Sequence, residues 1–485
     1  MRNKNGGFMA QIAEVQKEVK FEAKLGLFDA TMIVMGSMIG SGIFIAPSIM
    51  AGYMPIPMFL LLLWIVGGIL TAFGAIAYGE LAGMMPKAGG QYVFLREAYN
   101  PLLGFLYGWT LFFVIQSGFI AAVAIAFAKY LGVFIPALSE NNVILTLNIF
   151  GWNFTLNSAQ LVGVAVIAFL TCINCFGVVF GAFVQNLFTV SKIAAIALLV
   201  FTAFAIGNGD WSNFFSSFSL KDFKPIAPPE ALSMGFLAAF AVAMSKALFA
   251  YDAWNSITFA AEEVKNPHKT VPRSLVLGTV GVMLVYVLAN IAYIYILPIK
   301  EMALVPDNRV AAAVAEKIFG TIGAQLIAVA IMISTFGCDN GMILAAPRVY
   351  YAMSKDGLFF KGAGKLHPRY KTPVNSLILQ GIWSSVLTLS GTYSALLTYT
   401  AFTSLLFNVL TVFGLFILRK KYPERERPYK AWGYPIIPIL YILVAIFFII
   451  YIIIGDPKSS GLGLLLVLIG IPAYIYWSKT KNNAP

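Results

Sequence analysis

Two short runs of small and polar residues interrupt apolar segments of this chain, and together they could bind a small charged molecule. Residues 36–44 hold three glycines and two serines within seven positions, a poor sequence for a continuous helix because each glycine costs about 1 kcal/mol relative to alanine. Residues 249–255 contain Asp252 within an apolar segment. Backbone groups exposed by a break at membrane depth persist only where they face a cavity or a ligand. The runs therefore predict discontinuous helices with N-termini facing an anionic group of a substrate, although residues 36–44 also suit a close helix–helix contact.

Four side chains of the sixth apolar segment have alternative interpretations. Asp252 either faces the pocket and favours cationic substrates, or caps the second half of a broken helix. Lys246 pairs with Asp252, lines an outer vestibule, or shifts preference toward acidic or neutral substrates. Tyr251 and Trp254 either cover the apolar part of a substrate or belong to the packed core. The sequence leaves these alternatives open.

Two further acidic residues lie inside apolar segments. Asp339, beside Asn340, either contacts Lys192 or the substrate, or forms a buried structural pair. Glu80 lies near one end of the second segment, where it is expected to join Lys87 and the loop after the sixth segment in the charge network of an inner gate. A role for Glu80 as a proton site is the alternative.

The elements that must position these residues are membrane-spanning helices. The chain has 485 residues, of which 59% are hydrophobic and 11% charged, with a mean hydropathy of +0.82. These values exclude a soluble globular protein and indicate a helical protein that crosses the membrane many times. We predict an all-α membrane protein of about twelve spans. Their ranges are 25–50, 58–84, 102–131, 158–180, 184–206, 232–263, 274–298, 321–354, 374–391, 395–419, 434–455 and 461–478.

The distribution of charge predicts orientation and argues against nucleic acid as a partner. The net charge is +12, but 24 of the 33 Lys and Arg residues fall in the tails and loops of one side when both termini are placed in the cytoplasm, as the positive-inside rule requires. The loop between the third and fourth spans contains no cysteine, so no disulfide to a partner subunit is expected there. The two histidines lie in loops, away from any Cys, Asp or Glu at metal-ligand spacing, and we expect no metal and no cofactor.

Several motifs resemble the amino acid–polyamine–organocation superfamily, and in particular its L-type amino acid transporter branch. The matching residues are 36–44 (GSMIGSGIF), 78–92 (YGELAGMMPKAGGQY), 249–254 (FAYDAW) with 262–267 (EEVKNP), and Arg348, 351–353 and 356–357. They follow the family's order along nearly the whole chain.

The resemblance implies a twelve-helix, LeuT-like fold that moves amino acids by alternating access. It implies that backbone amides around Ser41, Gly42 and Ile43 meet the substrate carboxylate, and that carbonyls around Phe249 and Ala250 meet the ammonium. Dipole reasoning agrees with both roles. The full set of candidate substrate-binding residues is Ser37, Ile39, Gly40, Ser41, Gly42, Ile43, Phe249, Ala250, Tyr251, Asp252 and Trp254, and the candidate coupling or gating residues are Lys192, Asp339, Glu80 and Lys246.

Lys192 lies in a run similar to one whose lysine stands where related transporters bind sodium. At 1.5 Å per residue it lies about 12 Å from the start of the fifth span, and a buried ammonium needs polar partners. We expect it to bridge the first and eighth spans in place of sodium. The alternative is a lysine that extends to the cytoplasmic interface.

These expectations define a domain plan and a function. Residues 1–24 form a cytoplasmic tail with an amphipathic pattern, 25–206 a first five-helix repeat, 232–419 an inverted second repeat, and 420–485 the last two spans and a cytoplasmic C-terminus. The predicted function is sodium-independent exchange of neutral L-amino acids across the cell membrane. Proton-coupled symport of amino acids or polyamines is the alternative, and a channel or membrane enzyme is a remote one because neither pore loops nor a catalytic cluster is evident.

Overall fold

The computed structural model describes residues 19–149, 152–206, 209–215, 223–390, 393–455 and 457–482. Residues 1–18, which hold most of the predicted amphipathic tail, lie outside this part of the chain. The α-helices are α1 (Leu27–Met38), α2 (Gly42–Tyr53), α3 (Pro57–Met84), α4 (Gln91–Ala98), α5 (Pro101–Phe134, with a π-helical turn at Leu111–Ile115), α6 (Ser158–Cys175), α7 (Val178–Ala205), α8 (Phe236–Ala250), α9 (Ser256–Phe259), α10 (Pro267–Ile296), α11 (Ile299–Ala303), α12 (Val310–Phe319), α13 (Thr321–Ala345), α14 (Pro347–Lys355), α15 (Val374–Leu389), α16 (Tyr393–Lys421), α17 (Ile436–Gly455) and α18 (Pro457–Asn482). Strands β1 (Val143–Ile149) and β2 (Trp152–Asn157) form an antiparallel hairpin.

Twelve apolar helical segments follow one another within the described residues. Ten are long and apolar enough to cross a membrane, and α8 and α15 are shorter apolar helices. We number these segments as spans 1 to 12: span 1 is α1 with α2, span 6 is α8 with α9, and span 8 is α13 with α14. The prediction of about twelve spans is confirmed.

The ends of several spans follow from local sequence. Asn157 caps the start of α6 in a capping box. The backbone N–H of Gln160 donates a hydrogen bond to Asn157 Oδ1 at 3.1 Å, and the backbone N–H of Asn157 donates to Gln160 Oε1 at 2.7 Å. The predicted ranges around residues 180–184 are wrong by several residues, since α6 ends at Cys175 and α7 begins at Val178. Gly177 turns the chain between them with φ of 123°, a conformation that glycine adopts without steric cost.

Both predicted breaks are present. Span 1 leaves the helical conformation at Ile39, which has an extended backbone, and becomes helical again at Gly42. Span 6 leaves it after Ala250, and a turn that includes Ala253 with φ of 64° leads to the single helical turn of α9. The sequence-based expectation of discontinuous helices is therefore confirmed.

The broken spans lie in the middle of the bundle and are surrounded by long helices. α13 packs against α1, α5 and α7, α10 packs against α1 and α3, and α8 packs against α2. We call the side of the bundle at which α1 begins the N-terminal face, and the side that carries β1 and β2 the hairpin face. Large apolar side chains such as Phe169 and Phe201 remain exposed on the outer helices, as expected for surfaces that contact lipid.

Candidate substrate site

The two breaks lie against each other at the centre of the bundle. A Cβ built on Gly42 would lie 2.8 Å from the Cβ of Ala250, so α2 can approach α8 this closely only because residue 42 is glycine. The hydroxyl group of Tyr286 in span 7 lies 3.0 Å from the carbonyl oxygen of Met38 and 3.0 Å from that of Ala250. The carboxyl ends of α1 and α8 therefore meet at one hydroxyl donor.

A small central cavity of about 20 Å³ lies between the two breaks. Its lining residues are Ser37, Met38, Gly40, Ser41, Gly42, Phe119, Val123, Phe249, Ala250, Asp252, Ala253, Cys338 and Met342. The N-terminus of α2 lies at this cavity, and the first amides of a helix have no carbonyl partner within it. A carboxylate placed here would meet the positive end of the α2 dipole. The cavity accommodates a water molecule but not an amino acid, so an amino acid can enter only if the surrounding helices move apart.

The structure divides the predicted substrate-binding residues into two groups. Those that line the central cavity are Ser37, Gly40, Ser41, Gly42, Phe249, Ala250 and Asp252. Those that do not are Ile39, Ile43, Tyr251 and Trp254, all of which are buried. The carbonyl group of Ile39 is nevertheless part of the break, because it accepts hydrogen bonds from Lys192 and Ser334.

Lys192 of span 5 is completely buried and does not extend to an interface. Its Nζ atom donates to the carbonyl oxygens of Gly36 at 2.8 Å, Ile39 at 2.5 Å and Ser334 at 3.0 Å. The first two belong to span 1 and the third to span 8. The ammonium group thus joins the two spans through backbone carbonyl oxygens, and the predicted bridge between spans 1 and 8 is present. The interpretation as an interfacial lysine is wrong, because the side chain is fully buried.

Asp252 lies between the central cavity and a second cavity of about 30 Å³. Its Oδ1 atom accepts from the backbone amide of Ala253 at 2.8 Å and from the hydroxyl of Ser404 in span 10 at 3.1 Å. Tyr251 and Trp254 line the second cavity with Asp252. The residue that precedes α9 is Asn255, and no side chain caps that helix. The interpretation of Asp252 as a helix cap is therefore wrong, and its carboxylate faces the cavities.

Asp339 makes no hydrogen bond with Lys192, so this alternative from the sequence lacks a direct contact. It is fully buried, and neither carboxylate oxygen has a hydrogen-bond donor among the residues that the structure describes. The neighbouring Asn340 instead accepts from Asn174 at 2.9 Å and donates to the side chain of Gln185 at 2.9 Å. Asn340, rather than Asp339, connects span 8 to spans 4 and 5.

Glu80 is buried at the N-terminal face, but the partners predicted for it are wrong. Its carboxylate accepts two hydrogen bonds from Arg419, at 2.9 and 2.6 Å, and lies 3.2 Å from Arg427. The backbone amide of Ala431 donates to it at 2.7 Å. Glu80 therefore holds span 2 to the connection between spans 10 and 11, and not to Lys87 or to the loop after span 6.

Two further ion pairs lie at the same face. Glu263, in the loop after span 6, pairs with Arg348 of span 8 through hydrogen bonds of 2.9 and 3.0 Å, and both side chains are almost fully buried. Arg96 of α4 pairs with Asp356, which also accepts from the hydroxyl of Tyr92 at 2.6 Å. Desolvation and the adjacent Asp356 carboxylate raise the pKa of Tyr92, so this hydroxyl remains a donor. These ion pairs join separate elements at the N-terminal face.

The hairpin face contains a large cavity, which we call the vestibule. Its volume is about 470 Å³. Its lining residues are Ile45, Ser48, Ile49, Gly52, Tyr53, Ile125, Ala126, Lys129, Tyr130, Glu140, Ala227, Pro228, Lys246, Ala303, Asp307, Asn308 and Arg309. Lys246 thus lines a vestibule, one of its three predicted roles. The structure therefore places a large cavity at the hairpin face and buried ion pairs at the N-terminal face.

Three residues at the breaks were not identified from the sequence. Tyr286 and Ser334 donate to carbonyl groups of the breaks, and the Phe119 ring stacks on Phe249 with the ring centroids 4.9 Å apart. Each lies on an unbroken stretch of helix, and aromatic or hydroxyl residues are common in such helices. The sequence around these three residues therefore does not distinguish them from other residues of the same helices. Among the residues that the structure describes, no group of three His, Cys, Asp or Glu side chains could hold a metal ion.

Comparison with known proteins identifies the family. A family model described as amino acid permease matches residues 25–472. The chain is 32% identical to the serine/threonine exchanger SteT of Bacillus subtilis (strain 168), a match that covers 95% of this chain and 98% of the relative. It is 31% identical to the large neutral amino acids transporter small subunit 2 of Mus musculus, over 95% of this chain and 82% of the relative.

A third relative extends the comparison. The human cystine/glutamate transporter is 29% identical, over 96% of this chain and 87% of that protein. These matches span nearly the whole chain and include both breaks. The chain therefore belongs to the amino acid permease family, within the L-type transporter branch of the amino acid–polyamine–organocation superfamily.

Proposed function

We propose that this protein exchanges neutral L-amino acids across the cell membrane without sodium. The observation that carries the proposal is the position of the Lys192 ammonium group, bound to three carbonyl oxygens of spans 1 and 8. A sodium ion at this junction would need the same carbonyl oxygens as ligands. Because a permanently attached cation already occupies them, the junction needs no sodium ion to hold span 1 against span 8.

In the proposed binding mode, the breaks hold the two ends of the amino acid backbone. The substrate carboxylate accepts hydrogen bonds from the amides of Ser41, Gly42 and Ile43 at the start of α2. The substrate ammonium donates to the carbonyl oxygens of Phe249 and Ala250 at the end of α8. The helix dipoles favour this direction, since a helix N-terminus is positive and its C-terminus negative. The small central cavity supports a mechanism in which substrate holds apart two helices that otherwise close on each other.

Exchange follows from that closure. We propose that the broken helices move between an arrangement accessible from one side of the membrane and an arrangement accessible from the other, and that this movement requires bound substrate. The empty protein then changes its accessible side slowly, and the substrate-bound protein changes it quickly. The names of the relatives agree with this proposal, since one is a serine/threonine exchanger and another a transporter of large neutral amino acids. We propose small or large neutral amino acids as the substrates.

Orientation and organisation complete the proposal. The N-terminal face and both termini lie in the cytoplasm, because the Lys and Arg residues are concentrated there, and the vestibule opens outside. Residues 25–206 and 232–419 act as inverted repeats, an arrangement supported by equivalent breaks in the first and sixth spans. The chain works without a disulfide-linked subunit, since the loop between spans 3 and 4 has no cysteine.

The test uses proteoliposomes that contain only this protein. Uptake of labelled L-serine and L-leucine should be equal in sodium and choline media, and should rise when the same amino acid is present inside. Uptake that requires sodium would contradict the role assigned to Lys192. Uptake into empty liposomes at the same rate as into loaded ones would contradict exchange.

Proton-coupled symport is the second candidate, and one observation favours it. Asp252 and Asp339 are carboxylates within the spans that have no ion-pair partner among the described residues, as expected of groups that carry protons in membrane transporters. The two candidates differ in one measurement. Symport predicts accumulation driven by an imposed pH gradient into liposomes without internal amino acid, whereas exchange predicts none.

A further inference from the structure

The vestibule has the size of a ligand site that is separate from the central cavity. Its volume is about 470 Å³, against about 20 Å³ between the breaks. Pockets for small molecules have volumes of roughly 300–1,000 Å³. An amino acid that approaches from the hairpin face therefore has room in the vestibule in this conformation, while the site between the breaks cannot yet receive it.

The chemistry of the vestibule matches a zwitterion. Its lining includes three cations, Lys129, Lys246 and Arg309, and two carboxylates, Glu140 and Asp307. Two of these cations lie beside the carboxylates, with Lys129 3.1 Å from Glu140 and Arg309 3.2 Å from Asp307. Both signs of charge are therefore available within one cavity.

The position of Lys246 connects this cavity with the central one. Lys246 lies on α8, about one turn before Phe249 and Ala250. Lys246 lines the vestibule, whereas Phe249 and Ala250 line the central cavity. At 1.5 Å per residue, its Cα is about 6 Å nearer to the hairpin face than that of Ala250. The stacked Phe119 and Phe249 rings line the central cavity, and neither residue lines the vestibule.

We propose that the vestibule is a loading site for an amino acid zwitterion. The substrate carboxylate faces Lys246 and Arg309, and the ammonium faces Glu140 and Asp307. The amino acid then passes between the aromatic rings to the breaks, where helix dipoles replace the side-chain charges. The proposal rests on the proposed function only for the class of ligand.

The experiment measures occupancy of the vestibule without measuring transport. Ile125 is partly buried in the vestibule wall, and the variant Ile125→Cys places a thiol there. Its rate of alkylation by a sulfonated maleimide is measured in purified protein with and without L-serine or L-leucine, and the labelling of the parent protein gives the background. At a concentration ten times the dissociation constant, we expect labelling to slow by roughly tenfold, because about nine in ten sites are occupied.

A second substitution added to Ile125→Cys shows where the protecting amino acid binds. Lys246→Met should abolish protection, and Lys246→Arg should retain it, which separates loss of the charge from misfolding. Lys300→Met is the matched control, since Lys300 is exposed on the hairpin face and does not line the vestibule. Gly42→Ala, which obstructs the junction of the breaks, should leave protection intact.

Three results would overturn the loading site: no protection of the reporter, equal protection after Lys246→Met, or loss of protection after Gly42→Ala. The last would mean that the reporter responds to the central cavity. A protein that is protected by amino acids but transports neither L-serine nor L-leucine would contradict the proposed function and leave the loading site in place.

Discussion

The contact between Gly42 and Ala250 gives a direct test of the idea that the two breaks form the substrate site. The variant Gly42→Ala adds one methyl group. That carbon would lie 2.8 Å from the Cβ and 3.1 Å from the Cα of Ala250, whereas ordinary contacts begin at 3.4 Å. Because the nearest atoms belong to Cβ and backbone rather than to a flexible side chain, α2 and α8 must separate by about half an ångström or more.

The magnitude follows from the cost of overpacking. An extra carbon in a close-packed interior costs about 1–3 kcal/mol, and 1.4 kcal/mol corresponds to a tenfold change in an equilibrium constant. Because the added methyl displaces the amides of α2 from the carbonyl groups of α8, we expect the cost to fall on substrate binding. The ratio of turnover to apparent KM for L-leucine or L-serine should therefore decrease by about fivefold or more.

The assay compares exchange in proteoliposomes with thermal unfolding of the purified protein. Gly461→Ala is the control, because a Cβ on Gly461 in α18 would have no heavy atom within 4 Å, and alanine stabilises a helix relative to glycine. This control should transport like the parent. Parental kinetics in Gly42→Ala would refute the reasoning, since the breaks would then tolerate a displacement without effect on the substrate.

Three further predictions concern buried charges. Lys192→Met removes three hydrogen bonds to buried carbonyl oxygens, which costs about 3 kcal/mol at roughly 1 kcal/mol for each bond. The variant should therefore lose exchange in both sodium and choline media. Asp252→Asn removes the carboxylate from the two cavities and should eliminate any uptake of arginine or lysine while neutral amino acids are still carried. Arg348→Met leaves Glu263 buried without its partner and should lower stability by about 3–5 kcal/mol, measured as a lower unfolding temperature.

Each of these predictions has a result that would contradict it, and two of them have a control variant. Lys420 is exposed, so Lys420→Met should leave exchange intact; full exchange by the Lys192 variant would contradict its structural role. Unchanged arginine uptake after Asp252→Asn would show that Asp252 does not select the substrate side chain. Adding Glu263→Gln to Arg348→Met should restore part of the lost stability, because the unpaired charge is then removed, and no recovery would contradict the assigned cause.

The ion pairs at the N-terminal face also indicate how the protein would change its accessible side. Arg348 with Glu263 joins span 8 to the end of span 6, and Arg419 with Glu80 joins span 10 to span 2. Opening of this face requires that partners on different spans separate. Since breaking a buried pair is costly, substrate binding at the centre must supply free energy that favours the open arrangement.

The sequence by itself determined the class of protein, the number of spans and the positions of both breaks. These properties are local: apolar length sets a span, and glycine and serine content at residues 36–44 prevents a continuous helix. The family motifs are likewise continuous stretches. The depth of Lys192 also followed from its distance along one helix, which predicted that the buried ammonium needs polar partners. Its bridge between spans 1 and 8 was expected from the resemblance to the family.

Only the tertiary structure decided which distant groups meet. Glu80 pairs with Arg419, 339 residues away, rather than with Lys87, and Tyr286 reaches Met38 across 248 residues. Such contacts depend on how helices rotate and pack against one another, and no local pattern encodes that rotation. The vestibule belongs to the same class of property, because a cavity is bounded by several elements and has no sequence of its own.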